Sequence, residues 1–311
     1  MAKILITESV HPIGPELLTA AGHTVVYADR DMDVIRREIV DADAVLVRII
    51  ELPGSLLATA KNLKIVSKHG VGYDNIDLDY CKSHGIAVTI TPNANSLSVA
   101  EHAFTLMLTL AKNIIPVSNE YREIGFAAKN HAPGIEMTGK TLGLIGMGRI
   151  GKHVLHMCKD GLDMHVIVYD PYISEVPEGV EKVDDLSELL RRADVVTLHC
   201  LLTDETRKLI DRERLALMKP TALLINCARG PIVDEDALIE ALENGRLAGA
   251  GLDVTDPEPV APDSPLFKLP NVIVTPHYAP TTVESATRVS KIAAENINAV
   301  LAGQEPVGRI V

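Results

Sequence analysis

The chain has 311 residues, which is enough for two domains that each bury a core of their own. Its 30 Lys and Arg residues stand against 42 Asp and Glu residues, a formal charge of -12 that argues against nucleic acid or an anionic membrane as the main partner. Its four cysteines are scattered without a CxxC pair, so neither a disulfide framework nor a cysteine-rich zinc site is indicated.

The N-terminal segment, MAKILITESV, runs directly into a strand-like stretch. It lacks the basic, apolar and small-residue parts of a signal peptide. The longest apolar stretch, HAFTLMLTLA, is too short to span a bilayer. We therefore expect a soluble cytoplasmic protein that has no membrane partner.

Five short apolar runs follow one another at the start of the chain, and each is followed by a segment that can form a helix. They are KILIT, TVVYA, AVLV, LKIVS and AVTI. Alternation of this kind predicts parallel strands covered by helices, and hence an open, doubly wound sheet.

A long helical pattern, LSVAEHAFTLMLTLAKNI, marks a crossing into a second domain. A second series of strand-like runs follows: TLGLIG, HVIVYD, DVVTLHC, ALLINCA, AGAGLDV and VIVTP. Within this series, VEKVDDLSELLRRAD is expected to form a solvated amphipathic helix, with Asp184 or Asp185 near its start and arginines near its end. A last helix from about Val283 to Leu301 could return the chain to the first domain. The predicted fold is thus α/β with two parallel-sheet domains, residues 1–97 with 285–311, and residues 98–284.

The stretch TLGLIGMGRIGKHV places Gly146, Gly148 and Gly151 in G-x-G-x-x-G spacing, after a strand and before a helix. In a dinucleotide-binding loop the first glycine permits a tight turn, the second lets the backbone approach a pyrophosphate, and the third lets the helix pack on the strand. The N-terminus of that helix then offers free N–H groups to an anion. The alternative is a glycine turn without a ligand, since such turns are common.

The next strand, MHVIVYD, ends at Asp170. A carboxylate about 20 residues after the glycines accepts hydrogen bonds from the ribose hydroxyls of NAD and repels the 2′-phosphate of NADP. The spacing therefore predicts NAD as the cofactor.

Three ionisable residues follow the last three strands of the second series. Arg229 follows LLINCA, Glu258 lies in DVTDPEP, and His277 follows VIVTP. In doubly wound folds the ligands bind beyond the carboxyl ends of the strands, so the three side chains can converge there. Taken singly, they could equally be a loop cation, a solvated acid and a turn residue.

Together the three residues form a chemically complete set for the reduction of a 2-keto acid. Negative charge develops on the carbonyl oxygen, so the site needs a proton donor and a fixed cation. Histidine exchanges a proton near neutral pH, and a neighbouring carboxylate favours its imidazolium form. Arginine can hold the substrate carboxylate while it polarises the carbonyl. The set predicts an oxidoreductase that transfers a hydride between NAD(H) and a 2-keto or 2-hydroxy acid.

With these motifs in place, the sequence resembles the NAD-dependent D-2-hydroxyacid dehydrogenase family, and within it phosphoglycerate dehydrogenases and hydroxypyruvate or glyoxylate reductases. The stretches that carry the resemblance are HGVGYDNIDL, SVAEHA, GKTLGLIGMGRIGKHV, VVTLHCLLTDETRKLI, LLINCARGPIVDEDAL, GLDVTDPEP and TPHYAP. The resemblance covers nearly the whole chain. It implies a Rossmann NAD-binding domain inserted in a flavodoxin-like substrate domain, and a homodimer built around the helix that opens with SVAEHA.

The resemblance also implies a role for each residue that matches a family motif. Arg229 would bind the substrate carboxylate and carbonyl, and Glu258 would pair with His277, the proton donor in reduction and the acceptor in oxidation. Backbone N–H groups of the substrate loop would receive the substrate carboxylate; the loop is Gly70, Val71 and Gly72. Further residues would contact the cofactor: Gly146, Gly148, Gly151, Arg149 and Ile150 at the pyrophosphate, Asp170 at the ribose, Asp253 at the nicotinamide amide, and Cys200, Cys227, Ala228 and His277 along the groove.

The chain departs from its relatives at the positions that bear on the substrate. Arg48 is followed by Ile49 where Arg-Ser is common, and KHGVG stands where RAGVG is frequent. We therefore expect Arg48 and His69 to contact the distal end of the substrate, which could carry a second anionic group. The alternative is that Arg48 forms a salt bridge at the sheet edge and that His69 packs under the loop.

Two other functions fit parts of the same pattern. One is a nucleotide-sensing, corepressor-like interaction protein on this fold, and the other is a phosphite- or formate-type dehydrogenase. Glu258 in place of Gln argues against the formate type. His153 and His156 share a helix face, but no further ligand cluster accompanies them, so no metal site is expected.

Overall fold

The computed structural model describes residues 1–131 and 133–311. The described chain forms two compact units, Met1–Asn95 with Pro280–Val311, and Ser96–Ala279. The strands are β1 Lys3–Ile6, β2 Thr24–Tyr27, β3 Ala44–Val47, β4 Ile65–Lys68, β5 Ala87–Thr89, β6 Thr141–Ile145, β7 His165–Tyr169, β8 Val180–Lys182, β9 Val195–Leu198, β10 Leu223–Asn226, β11 Gly249–Leu252 and β12 Val272–Val274.

Helices separate most of these strands. They are α1 Ile13–Ala20, α2 Met32–Glu38, α3 Gly54–Leu57, α4 Leu78–Ser83, α5 Ser96–Ala111, α6 Ile114–Ile124, α7 Arg149–Leu162, α8 Leu186–Arg192, α9 Arg212–Leu215, α10 Glu235–Glu243 and α11 Val283–Leu301. Short 3-10 turns cover Ile39–Asp41, Gly125–Asn130, Gly230–Ile232 and Pro265–Lys268. In the described part of the chain, no helix is both long and apolar enough to cross a membrane.

The first unit is built on a parallel sheet in the order β2-β1-β3-β4-β5. This is the flavodoxin-like order, whose strand sequence reverses between β1 and β3. The expected return of the last helix is confirmed, because α11 buries Ala293, Ala294 and Ile297 against β1, β3 and β4. Ser67 at the centre of β4 fastens the helix by donating to the Ala293 carbonyl at 3.0 Å.

The second unit is built on a larger parallel sheet in the order β12-β11-β10-β9-β6-β7-β8. Counted from β6, this is the Rossmann order with an additional strand at one edge. Helices α5 and α7 cover one face through Val99, Leu106 and Val154. The opposite face is buried by α8 and α10. The prediction of two doubly wound parallel-sheet domains is confirmed.

One local expectation was wrong, and one strand was missed. The helix expected over residues 97–114 ends at Ala111, because Asn113 adopts a left-handed conformation (φ 51°) that stops it, and a separate helix α6 begins at Ile114. The amphipathic helix expected to start near Asp184 or Asp185 is confirmed, because Asp185 is the N-cap of α8. The strand β8 just before it was not predicted. This strand pairs only with β7 at the sheet edge, where polar side chains are tolerated, so its composition carried no strand signal.

Candidate active site

The glycine loop joins β6 to α7, and its three glycines meet different surroundings. Gly146 has a φ of +89°, and a Cβ atom there would lie 2.8 Å from the Cys200 nitrogen. A Cβ on Gly151 would lie 2.3 Å from the Gly146 carbonyl oxygen. Gly148, the N-cap of α7, has nothing within 4 Å of a Cβ and no side-chain cap on the helix. Two glycines are thus required by the fold of the loop, and the third leaves a space open above the helix N-terminus.

The residues around this open space fit a nicotinamide dinucleotide. Arg149 and Ile150 form the first turn of α7, where backbone N–H groups point out of the helix toward an anion. Asp170 follows β7, and its carboxylate accepts from the backbone N–H of Met147 at 2.9 Å and of Tyr172 at 3.0 Å. Asp170 is therefore fixed beside the glycine loop, and its contact with the ribose stays a prediction.

His277 and Glu258 are in direct contact. The histidine Nδ1 lies 2.7 Å from the glutamate Oε1, and their side chains are 31% and 39% exposed. An ionised carboxylate can only accept, so Nδ1 carries the proton of this hydrogen bond. His277 has a φ of +53°, and its N–H donates to the Asp253 carbonyl at 2.8 Å. The pair leaves the histidine Nε2 as the atom that can exchange a proton with a ligand.

Arg229 lies directly beyond β10, in a loop held from inside by Asn226. The buried Asn226 amide donates to the Arg229 carbonyl at 2.9 Å and accepts from the Ala228 N–H at 3.0 Å. A Cβ on Gly230 would lie 1.9 Å from the carbonyl oxygen of Thr255, so the Arg229 loop packs directly on the loop that leads to Glu258. Backbone packing therefore sets Arg229 in the same row of strand ends as Glu258 and His277.

Asp253, expected at the nicotinamide amide, lies at the end of β11 with a fully buried side chain. Its carboxylate accepts from the Thr275 hydroxyl at 2.5 Å and from the N–H groups of Tyr278 and Ala279 at 2.7 and 2.8 Å. In this structure it holds the turn that carries His277, and its contact with the cofactor stays a prediction.

The cysteines expected along the cofactor groove follow β9 and β10. Cys200 is half-buried, and burial raises the pKa of its thiol to about 11. Cys227 is buried, which also raises its pKa. Both are therefore neutral thiols near pH 7, suited to line an apolar groove but not to act as nucleophiles.

The residues expected to meet the substrate lie in the first unit, after β3 and β4. Glu8, which is buried, accepts from the N–H of Arg48 at 2.7 Å, and the Arg48 guanidinium donates to the Ser9 carbonyl at 2.9 Å. Burial, helped by the positive charge of Arg48, lowers the pKa of His69 to about 3. The Nε2 atom of His69 is buried and has no partner among the described residues.

The three residues of the substrate loop are not equivalent. Gly70 has a φ of +142°, and its N–H donates to the Lys68 carbonyl at 3.0 Å. Its carbonyl accepts from the N–H and the hydroxyl of Thr91. The expectation of carboxylate binding by backbone N–H groups therefore rests mainly on Val71 and Gly72.

Comparison of the chain with known proteins identifies its family. Residues 104–279 match the D-isomer specific 2-hydroxyacid dehydrogenase, NAD binding domain. The chain is 43% identical to the D-3-phosphoglycerate dehydrogenase of Methanocaldococcus jannaschii over 98% of its own length and 58% of the relative's. It is 38% identical to the glyoxylate reductase of Thermofilum pendens over 98% of its own length and 93% of the relative's. The chain belongs to the D-2-hydroxyacid dehydrogenase family.

A solved structure supports the same membership. The D-lactate dehydrogenase of Aquifex aeolicus, complexed with NAD and lactic acid, is 33% identical, superimposes with a TM-score of 0.87, and 96% of each chain is covered. The expected cofactor class is confirmed as NAD(P), because the matched family model is an NAD-binding domain and solved relatives hold NAD or NADP. Neither alternative function is favoured, because the relatives are named as dehydrogenases and reductases. The chain spans only a little over half the length of the phosphoglycerate dehydrogenases that it matches.

Three residues that hold the site together were not predicted from the sequence: Asn226, Thr275 and His102. His102 on α5 lies 3.0 Å from the Thr275 hydroxyl. Asn226 is the last residue of β10, and Thr275 follows β12 two positions before His277. Their place at the strand ends is the feature of the sequence that could have indicated them.

Proposed function

We propose that this protein is an NAD-dependent dehydrogenase that interconverts a small 2-keto acid and its D-2-hydroxy acid, with His277 as acid and base. The 2.7 Å contact between His277 and Glu258 is the observation that carries the proposal. It lies in a domain of a family whose named members reduce glyoxylate or oxidise phosphoglycerate and lactate. Arg229, which follows β10, would supply the cation that the reaction needs; β10 is the neighbour of β11, the strand that precedes Glu258.

In the direction of reduction, Arg229 binds the substrate carboxylate and polarises the carbonyl that becomes the alcohol. A nicotinamide dinucleotide held at the glycine loop would supply the hydride for this reduction. As negative charge develops on the carbonyl oxygen, His277 donates its Nε2 proton to that oxygen. Glu258 keeps the hydrogen bond to Nδ1 throughout, which fixes the tautomer and the ring orientation. In the direction of oxidation, Nε2 accepts the hydroxyl proton.

Specificity for the acid would come from the first unit. The N–H groups of Val71 and Gly72 in the substrate loop would receive the substrate carboxylate, as the family resemblance implies. Arg48 and His69 would contact the distal end of the substrate. His69 is neutral at physiological pH because its pKa is lowered to about 3, so it offers a hydrogen bond and Arg48 the charge. If Arg48→Ala changed the Michaelis constant equally for substrates with and without a distal anion, this assignment would fail.

We expect NAD to be preferred over NADP. The support is Asp170, whose carboxylate is fixed by two backbone N–H groups beside the glycine loop. A 2′-phosphate in that place would meet a like charge. The variant Asp170→Ala should lose the preference between NADH and NADPH, as measured by the ratio of their kcat/KM values.

We also expect a cytoplasmic homodimer. All of residues 114–124 are described, and none of them is buried, although Ile114, Tyr121 and Ile124 expose large apolar surfaces. Such a helix face favours association with a second copy. Size-exclusion chromatography with light scattering gives the mass of the protein in solution. A monomer at micromolar concentration would contradict the expectation. The four cysteines are free thiols, as is usual in a reducing compartment.

The function is tested with a panel of keto acids: glyoxylate, hydroxypyruvate, phosphohydroxypyruvate, sulfopyruvate and pyruvate, each with NADH and NADPH. His277→Ala should lower kcat by about 1,000-fold or more, since proton transfer and the position of the donor are both lost, while the Kd for NADH changes little. His156→Ala, on the exposed face of α7, is the matched control and should keep wild-type kinetics. Normal turnover by His277→Ala would refute the mechanism.

A further inference from the structure

The turn that carries His277 is wrapped around one buried carboxylate. Asp253 accepts from the hydroxyl of Thr275 and from the N–H groups of Tyr278 and Ala279. The Asp253 carbonyl also accepts from the N–H of His277 itself. Residues on both sides of the histidine are thus bonded to Asp253, so any shift of that carboxylate moves the imidazole.

A second histidine reaches this carboxylate from a different element. His102 lies on α5, and its Nε2 is 3.0 Å from the Thr275 hydroxyl and 3.4 Å from Asp253 Oδ1. Its ring also meets the Tyr278 ring edge-on, with 6.2 Å between centroids. The Thr275 hydroxyl has one hydrogen, which it gives to the carboxylate, so it accepts from His102, whose Nε2 is therefore the protonated nitrogen.

We propose that His102 is a positioning residue for the proton carrier, and that it acts through the Thr275 hydroxyl and the Asp253 carboxylate on the turn that holds His277. This inference rests on the proposed function. The long helix α5 is anchored in the core of the second unit by Val99, Ala103 and Leu106, so it offers a rigid support. A side chain on such a support can fix the partly exposed His277 more firmly than the turn alone could.

The role of His102 predicts a particular kinetic signature. His102→Ala should lower kcat for keto-acid reduction by about 10- to 100-fold, the loss expected when a reacting group is displaced by about 1 Å. The KM for the keto acid and the Kd for NADH should stay within about twofold, because Arg229 and the glycine loop are untouched. His102→Gln, whose amide can donate to the same hydroxyl, should recover most of the activity, and His156→Ala should match the wild type.

Variants of Thr275 test the same hydrogen bond at its acceptor, the Thr275 hydroxyl. Thr275→Val keeps the shape of the side chain and removes the hydroxyl, whereas Thr275→Ser retains it. If His102 acts through this hydroxyl, the double variant His102→Ala/Thr275→Val should lose no more kcat than the more impaired single variant. Multiplication of the two losses would show that the residues act separately and would overturn the proposal.

Hydrogen exchange provides a measurement that does not depend on activity. The N–H groups of residues 277–279 should exchange at least about tenfold faster in His102→Ala than in the wild type and in His156→Ala. Unchanged exchange there, or a kcat within twofold of the wild type, overturns the proposal. If the wild-type protein oxidises NADH with none of the keto acids, the proposed function fails, and hydrogen exchange still decides whether His102 holds the turn.

Discussion

The glycine loop allows cofactor binding to be separated from stability by two neighbouring substitutions. At Gly148 the backbone is extended (φ -72°, ψ -156°), and a Cβ meets no atom within 4 Å, so alanine fits the folded chain. At Gly146 the φ of +89° disfavours alanine, and a Cβ would press on the backbone of His199 and Cys200 at 2.8 Å. The two variants should therefore fail in different ways.

The expected magnitudes follow from these contacts. Gly148→Ala costs the helix up to about 1 kcal/mol, because alanine is a poor N-cap. Its methyl group would stand where a pyrophosphate approaches the helix, and the loss of one charge-assisted hydrogen bond, about 1.5 to 3 kcal/mol, weakens NADH binding by about 10- to 100-fold. Gly146→Ala adds about 1 to 2 kcal/mol of backbone strain to about 1 to 3 kcal/mol of overpacking.

Thermal unfolding and NADH fluorescence titration measure the two effects on the same samples. In a domain of this size each kcal/mol lowers Tm by about 2 to 4 °C, so Gly146→Ala should melt at least about 4 °C below the wild type and Gly148→Ala within about 4 °C of it. An unchanged Kd for NADH in Gly148→Ala would show that the pyrophosphate does not approach this glycine. A wild-type Tm in Gly146→Ala would contradict the loop geometry.

Two further predictions concern packing and acid stability. Gly230→Ala should lower Tm by about 2 to 12 °C and kcat by about tenfold, since a Cβ 1.9 Å from the Thr255 carbonyl oxygen must displace the Arg229 loop. Gly161→Ala is the control: its Cβ meets open space, so Tm and kcat should both stay near the wild type. Burial lowers the pKa of His199 to about 3. Between about pH 6.5 and pH 3 the unfolded chain therefore binds a proton that the folded chain does not. As the pH is lowered through this range, the free energy of unfolding decreases by up to about 1.4 kcal/mol per pH unit. In urea titrations His199→Gln should weaken this dependence, and an unchanged slope would mean that the imidazole is not neutral in the fold.

Most of the fold could be predicted because its strands are continuous apolar runs. AVLV forms β3 at Ala44–Val47, and the last helix was placed at Val283–Leu301, where α11 lies. Such runs are typical of parallel strands that are buried on both faces. The same reasoning failed at β8, since an edge strand needs no apolar alternation, and at Asn113, where one left-handed residue divides a helical pattern in two.

The grouping of the three proposed catalytic residues was predictable for a topological reason. Parallel strands end at one edge of the sheet, so residues that follow β10, β11 and β12 are neighbours in space whatever their separation in sequence. The contact between Glu258 and His277 could be predicted from this rule. The hydrogen bond from the Gly70 N–H to the Lys68 carbonyl could not, because a local turn depends on backbone angles that composition does not specify.

The residues that hold the catalytic set were not predictable by the same reasoning, and the cause is their placement. His102 and Thr275 are separated by 173 residues, and one of them lies on a helix whose register against the sheet no strand-end rule specifies. Alone, each is an ordinary polar residue beside an apolar segment. Their contact depends on how α5 packs over β11 and β12, where Gly251 allows a close approach of Leu106 to the sheet. The side chains proposed to carry the chemistry can thus be found by strand order, whereas those proposed to position them become visible only when helix packing is known.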